Sequence, residues 1–440
     1  MNIPLDNLYH WIQGLAQHPV ILYVFHPHGS KDISNLGLLK EGAFSLSAPP
    51  IVCHDQEPLD FDFYKFDYDF VRFRQVLSAK GWPDSYIDVE VDRYSNVSLF
   101  STDFIPSWLS AGVGTPNRSI LLHSEKNSND VAQFARNEFF PVYYWCHAVI
   151  ARDWYRFAQY DVRLSHKQLE KTFLIYCRDW TPLREYRLKF MELLLDADLL
   201  EQCILSTQHV NNQGVHISDY QVQNSKFQVD TSRLLVIPDN NTLPTASADY
   251  NVDDLNKTAI SVVLETIFDS TKIHLTEKIL RPIACAHPFV LAAGPGALEY
   301  LRSYGFQTFG AVFDESYDQE LDSAKRLEKI IMTMQQIKTL TQDDWQEIQC
   351  IAEHNQHHFF SDTFMNQVTS ELETNLESAI KFWSDNFAPT YWQWRKYSRR
   401  TKKYKKFVQF KSDMHKTCIQ ELRKHRLSRS QNRTSPITGQ

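Results

Sequence analysis

The chain has 440 residues, 43% hydrophobic and 22% charged, with 13 glycines and 18 prolines, which excludes a fibrous or low-complexity protein and allows two to four ordinary domains. It holds no run of 18 apolar residues, so no bilayer-spanning helix is expected. Seven cysteines without a CxxC pair read as buried free thiols of a reducing cytoplasm. The net charge of −7 hides a split: residues 391–433 carry fifteen Lys and Arg against two acids, a local +13, and the rest carries −20.

From the N-terminus, MNIPLDNLYH has no basic stretch ahead of a long apolar one, so no secretory leader is expected. Short apolar runs at 20–25, 50–53, 119–122 and 147–151 each end in a polar cluster, as in His54-Asp55-Gln56-Glu57-Pro58 and His123-Ser124-Glu125-Lys126. They read as buried strands whose carboxyl ends open into polar loops, the usual site geometry of open α/β sheets. Helices are predicted at 63–79 and 129–140, and a polar linker at 162–171. A second series follows, with strands at 172–177, 203–206, 259–265, 287–292 and 308–313. Helices are predicted at 183–195, 276–286, 296–304 and 318–338, with Asn- and Ser-rich loops over 211–254. The fold class is α/β, in an N-terminal domain of 1–165, a C-terminal domain of 172–385 and a basic aromatic arm of 386–440.

Three features could bind ligands. Glu265 ends a strand, where a carboxylate suits the hydroxyls of a ribose or sugar. Thr276, Glu277 and Lys278 open a helix whose backbone N–H groups, hydroxyl and amine suit a phosphate. Gly294-Pro295-Gly296 lets backbone approach a ligand closely. Read as plain structure, the same residues are a helix cap and a strand-to-helix turn. The paired acids Asp60/Asp62 and Asp67/Asp69 imitate a metal-binding DxD, but their aromatic interleaving fits a half-buried amphipathic segment better. His354, His357 and His358 read as a helix surface. In the arm, Arg395, Lys396, Arg399, Arg400, Lys402, Lys403, Lys405 and Lys406 alternate with Trp392, Trp394, Tyr397 and Tyr404. Basic groups neutralise phosphates while rings stack on bases, so nucleic acid is one reading of the arm. A helix packing its rings on the body is the other.

The stretch 261–318 resembles the donor-binding half of GT-B glycosyltransferases, in particular the fucosyltransferase-like and exostosin-like group. Their pattern of a strand-end Glu, a spacer, Thr-Glu-Lys, a helix and a Pro-led apolar strand falls on Glu265, Thr276, Glu277, Lys278 and His287-Pro288-Phe289-Val290-Leu291. The following GPGALEYLRSYGFQTF is similar to glycosyltransferases of tailed phages and bacteria. Fucosyltransferases carry Glu-Asn-Ser where this chain has Glu265-Thr266-Ile267, so GDP-fucose is not implied.

The resemblance implies two Rossmann-like domains facing across a cleft. A UDP- or GDP-sugar would bind the C-terminal domain with no bridging metal and no other cofactor. Lys278 would be its first phosphate ligand, Arg178 the second and Arg184 the third, with Glu265 and Glu277 on hydroxyls. An inverting transfer needs a general base from the N-terminal domain; Asp55 is the first candidate, then Glu57 and Glu125. The implied activity is transfer of a hexose or pentose to an acceptor hydroxyl, in the cytoplasm, or in the host cytoplasm if the protein is viral. The +13 arm favours double-stranded DNA carrying a hydroxymethylated pyrimidine, as in a phage genome, with the base flipped into the cleft. A surface glycan or lipid-linked acceptor, and a non-catalytic nucleic-acid-binding protein of the same fold, are the alternatives.

Overall fold

Apolar segments four to seven residues long become strands here because parallel sheets are covered on both faces. The computed structural model describes residues 119–136 and 139–386, apart from 181, 212–213 and 241–247, together with strand backbone at 20–21 and 51–53 and residues 58–59. One sheet has the order β1 (Val20–Ile21), β2 (Ile51–Cys53), β3 (Ser119–His123), β4 (Phe139–Tyr143). The second has the order β6-β5-β7-β8, from β5 (Lys171–Cys177), β6 (Cys203–Thr207), β7 (Thr258–Leu264) and β8 (Phe289–Ala292). All strand pairings are parallel. Ile120, Leu121 and Leu122 of β3 and all four residues of β8 are buried.

Nine α-helices surround these sheets among the described residues: α1 (Asn129–Arg136), α2 (Cys146–Trp154), α3 (Tyr186–Asp196), α4 (Val252–Lys257), α5 (Glu277–Ala284), α6 (Ala297–Ser303), α7 (Ser323–Ile337), α8 (Gln342–Phe360) and α9 (Asp362–Asn386). Caps explain several of the starts. Asn251 accepts from the N–H groups of Asp253 and Asp254, Asp322 from those of Ala324 and Lys325, and Thr341 with Asp344 closes a capping box on α8. Helix α9 returns to the first sheet: Asn375 Nδ2 donates to Tyr143 O at 2.9 Å, and the rings of Phe382 and Phe140 lie 5.0 Å apart. Hydrophobic residues from 120 to 376 join in one cluster that includes both sheets. No helix among the described residues is long and apolar enough to cross a membrane.

Three sequence expectations are corrected. The run 147–151 lies in α2, and the strand parallel to β3 is instead 139–143, inside and just past the end of the helix expected at 129–140. The sequence Phe-Phe-Pro-Val-Tyr hid this strand, since proline cannot donate to a ladder; among the described residues β4 is an edge strand, where that defect is tolerated. Residues 308–313 form turns rather than a strand, because Glu315 takes the Phe309 N–H at 2.7 Å and the Thr308 hydroxyl at 2.7 Å. Cys146, Cys177, Cys203 and Cys285 are buried and free, whereas Cys350 is exposed. The expected helix at 63–79 lies outside the described residues.

Candidate functional site

The two sheets meet at their carboxyl ends. β3 runs into His123-Ser124-Glu125-Lys126, and the chain leaving β7 through Glu265 returns alongside it. Lys126 and Ile273 exchange backbone hydrogen bonds, 3.0 Å in each direction, as an isolated antiparallel bridge. Around that bridge Trp145 Nε1 donates to Leu275 O at 3.0 Å, and the His147 and His274 rings meet edge to face at 5.0 Å. Segment 272–278 therefore forms a seam with the first sheet.

Glu125 lies in that seam, 2% exposed. Its carboxylate accepts from Leu59 N–H at 2.7 Å and from Lys272 Nζ at 3.3 and 3.4 Å, while Lys272 also reaches Asp130 at 2.9 Å. Burial pushes the Glu125 pKa up, and the Lys272 charge opposes it. A carboxylate so placed can accept a proton more readily than one in water. Of the three candidate bases it is the one inside the described residues; Asp55 and Glu57 lie outside them, as do the four DxD-like aspartates.

Glu265 is wholly buried. One oxygen accepts from Thr276 N–H at 3.0 Å and the other from Thr276 Oγ1 at 2.7 Å. Burial raises its pKa, and Lys278 counteracts this. Thr276 in turn caps α5, accepting from Lys278 N–H at 3.4 Å. The Lys278 amine lies 3.1 Å from Thr276 Oγ1 and 3.0 Å from Glu277 Oε1, and its side chain is 30% exposed. Strand-end acid, cap and lysine thus form one connected group. The structure brings Glu265, Thr276, Glu277 and Lys278 together, with the acid accepting from the cap residue.

Arg178 is exposed at the carboxyl end of β5, a central strand of the second sheet. Arg184 is paired with Asp179 at 2.6 Å. Sequence reasoning passed over Arg187, which is buried and donates to Asp179 O and Leu264 O, both at 2.6 Å. It ties the chain after β5 to the end of β7. A signal existed: Arg187, Phe190, Met191 and Leu194 share the 3.6-residue stripe that α3 buries. Lys126 and Lys272 were also passed over, and no local pattern marks them, because their partners lie far away in the chain.

The glycine turn serves the protein itself. A Cβ on Gly294 would lie 2.9 Å from Ser270 O and 3.0 Å from Lys272 O, so the close approach is made by the seam segment. Gly296, at φ +81°, starts α6, whose N–H groups at Leu298 and Glu299 donate to the Asp318 carboxylate at 2.9 and 3.4 Å. His354 and His357 are exposed on α8, and His358 Nε2 donates to Tyr304 O at 2.6 Å. The basic arm lies outside the described residues. At the opposite, amino end of β5 and β7 lies a groove of about 430 Å³ lined by Lys167, Glu170, Gln202 and Trp345 among others. None of the candidate residues borders it.

No family model, no curated protein and no solved structure matches this chain.

Proposed function

We propose that the protein is a GT-B-type glycosyltransferase that moves a sugar from a UDP- or GDP-sugar to an acceptor hydroxyl, with inversion and without a bridging metal. The observation that carries this reading is the seam: a buried carboxylate, Glu125, follows β3 of one parallel sheet and pairs with Lys272 from the loop after β7 of the other, the loop that leads into Lys278 in the first turn of α5. The return of α9 to the first sheet fits the same reading. Glu125 takes the proton of the acceptor hydroxyl as its oxygen attacks the anomeric carbon; the sugar–phosphate bond breaks and the diphosphate leaves. Lys278 and Arg178 take up the negative charge that develops on it. Glu265 holds Thr276, and through it the first turn of α5, in register.

The acceptor we propose is a hydroxymethylated pyrimidine in double-stranded phage DNA, gripped by the arm's Arg395, Lys396, Arg399, Arg400, Lys402, Lys403, Lys405 and Lys406. One observation favours a second reading, a non-catalytic nucleic-acid-binding protein: Glu125, Glu265 and Lys278 all have partners within the chain. Hydroxymethylcytosine DNA incubated with a panel of UDP- and GDP-sugars, digested to nucleosides and weighed by mass spectrometry, decides between them. A mass gain of one hexose or pentose supports transfer to DNA. Tight DNA binding with no gain for any donor supports the second reading. Transfer only to a glycan or lipid-linked acceptor keeps the chemistry and overturns the DNA assignment.

A further inference from the structure

Each side of the seam contributes one lysine that reaches across it. Lys126, just after β3, places its amine 4.5 Å from the ring centre of Tyr143, 4.8 Å from that of Tyr300 and 5.4 Å from that of Tyr304. Tyr300 and Tyr304 stand on or at the end of α6, which follows the second sheet. The cage is tied together: the Tyr143 and Tyr300 hydroxyls are hydrogen-bonded, and Tyr304 OH donates to Glu371 of α9 at 2.5 Å. Trp145 packs its ring 5.1 Å from Tyr300 and 5.0 Å from Tyr304. In the reverse direction Lys272, from the loop after β7, reaches Glu125 and Asp130 beside β3, with its own side chain 14% exposed. The bridge of Lys126 and Ile273 joins the backbone of the two segments that carry these lysines.

We propose that Lys126 and Lys272 form a crossed latch that holds the seam closed over Glu125, and that release of this latch is the motion that gives any partner access to that carboxylate. Aromatic faces attract a cation more strongly when water is partly excluded, and both lysines are half-buried, so losing these partners is unfavourable. Each lysine therefore prefers the closed seam, and neither has an equivalent set of partners when the sheets part. Tyr143 belongs to β4 and Tyr300 to α6, so the ammonium bridges rings from both sides instead of decorating one. The bridge of 126 and 273 supplies two hydrogen bonds and Trp145 a third, to Leu275 O, and the two lysines add the charged contacts to this small set. The inference stands apart from the proposed chemistry, since it concerns opening and not transfer.

Hydrogen exchange on the full chain tests it. Lys126→Met and Lys272→Met keep the apolar stem and remove the charge. Each is expected to raise exchange at the Lys126 and Ile273 amides at least about tenfold, and the double variant more, while Ile175 and Val262 in the second sheet keep parental rates. Glu371→Gln, at the margin of the cage through Tyr304, is expected to give a smaller rise at the same two amides and remains informative if the methionine variants fold poorly. Parental exchange at both seam amides in the variants overturns the latch. So does a rise of equal size at Ile175 and Val262, which would mean that the lysines support the whole fold and not the seam.

Discussion

His287 is held neutral by its surroundings. Its Nε2–H donates to Thr258 O at 3.0 Å and its Nδ1 accepts from the Ser261 hydroxyl at 3.0 Å, which bolts the start of β8 to β7. Burial first, and the Lys167 charge second, pull its pKa down from 6.5 to about 3. The unfolded chain takes up this proton below pH 6.5 while the native state does not until about pH 3. The stability from His287 is thus complete above 6.5 and is lost as pH falls through that window, at most about 1.4 kcal/mol per pH unit. Urea unfolding between pH 7 and 4 should show a steeper loss for the parent than for His287→Gln; equal slopes would assign the acid sensitivity elsewhere. For the proposed chemistry, Glu125→Gln should lower turnover roughly 10²–10⁴-fold and leave donor binding intact, since the amide removes only the proton acceptor. Near-normal turnover would move the role to Asp55 or Glu57. Lys278→Ala should remove most of the thermal shift that a UDP- or GDP-sugar gives without added metal. A shift that survives the substitution but vanishes in EDTA would replace the metal-free diphosphate site with a metal-bound one.

At the scale of elements, the Gly294 turn and the seam loop share one space. Gly294→Ala puts a methyl against two backbone carbonyls, which cannot swing aside as a side chain would. The expected loss is about 1–3 kcal/mol of stability, read from the denaturation midpoint, together with faster exchange at Ile273. An unchanged midpoint would show that the 270–272 backbone can yield. Such elements differ in how far they can be read beforehand. β5, β7 and β8 were legible because strands buried on both faces leave unbroken apolar runs, and the Thr276 cap because it needs only neighbours in sequence. Residues 146–154 form a helix although 147–151 looks like a strand: four apolar residues after a histidine fit either period, and what decides is that β4 already occupies the place beside β3. The turn at 308–313 depends on Glu315, and the fixed start of α6 on Asp318, neither of which any apolar period marks. The acid, cap and lysine of the candidate site were legible as a pattern. The partners of Lys126 and Lys272 were not, since they come from other parts of the fold.

For the whole molecule, charge is the dominant fact that composition carries: an acidic body of −20 with a +13 arm at 391–433. If the arm grips duplex DNA, replacing Lys402, Lys403, Lys405 and Lys406 with Gln should weaken binding most at low salt. It should also flatten the salt dependence by up to about 0.9 per lost phosphate contact in a log–log plot. Donor-induced stabilisation should stay at the parental level. Parental DNA affinity and slope would give the arm a structural role and turn attention to a glycan acceptor. The seam carries a different consequence, for the order in which the chain assembles. Lys272 and Glu125 are 147 residues apart and Asn375 and Tyr143 are 232 apart, farther than the strand partners within either sheet. Contacts between distant residues must first close a long loop, so nearer pairings gain a head start. Strand partners are nearer than that in both sheets, 20 residues apart for Ser119 and Phe139 and 30 for Phe173 and Cys203, so each sheet can pair its strands before the seam closes. Each lysine of the seam reaches its acids or its rings only when both halves stand, which makes the crossing of Lys126 and Lys272 a late event and ties the final step of folding to the place where the protein would open to work.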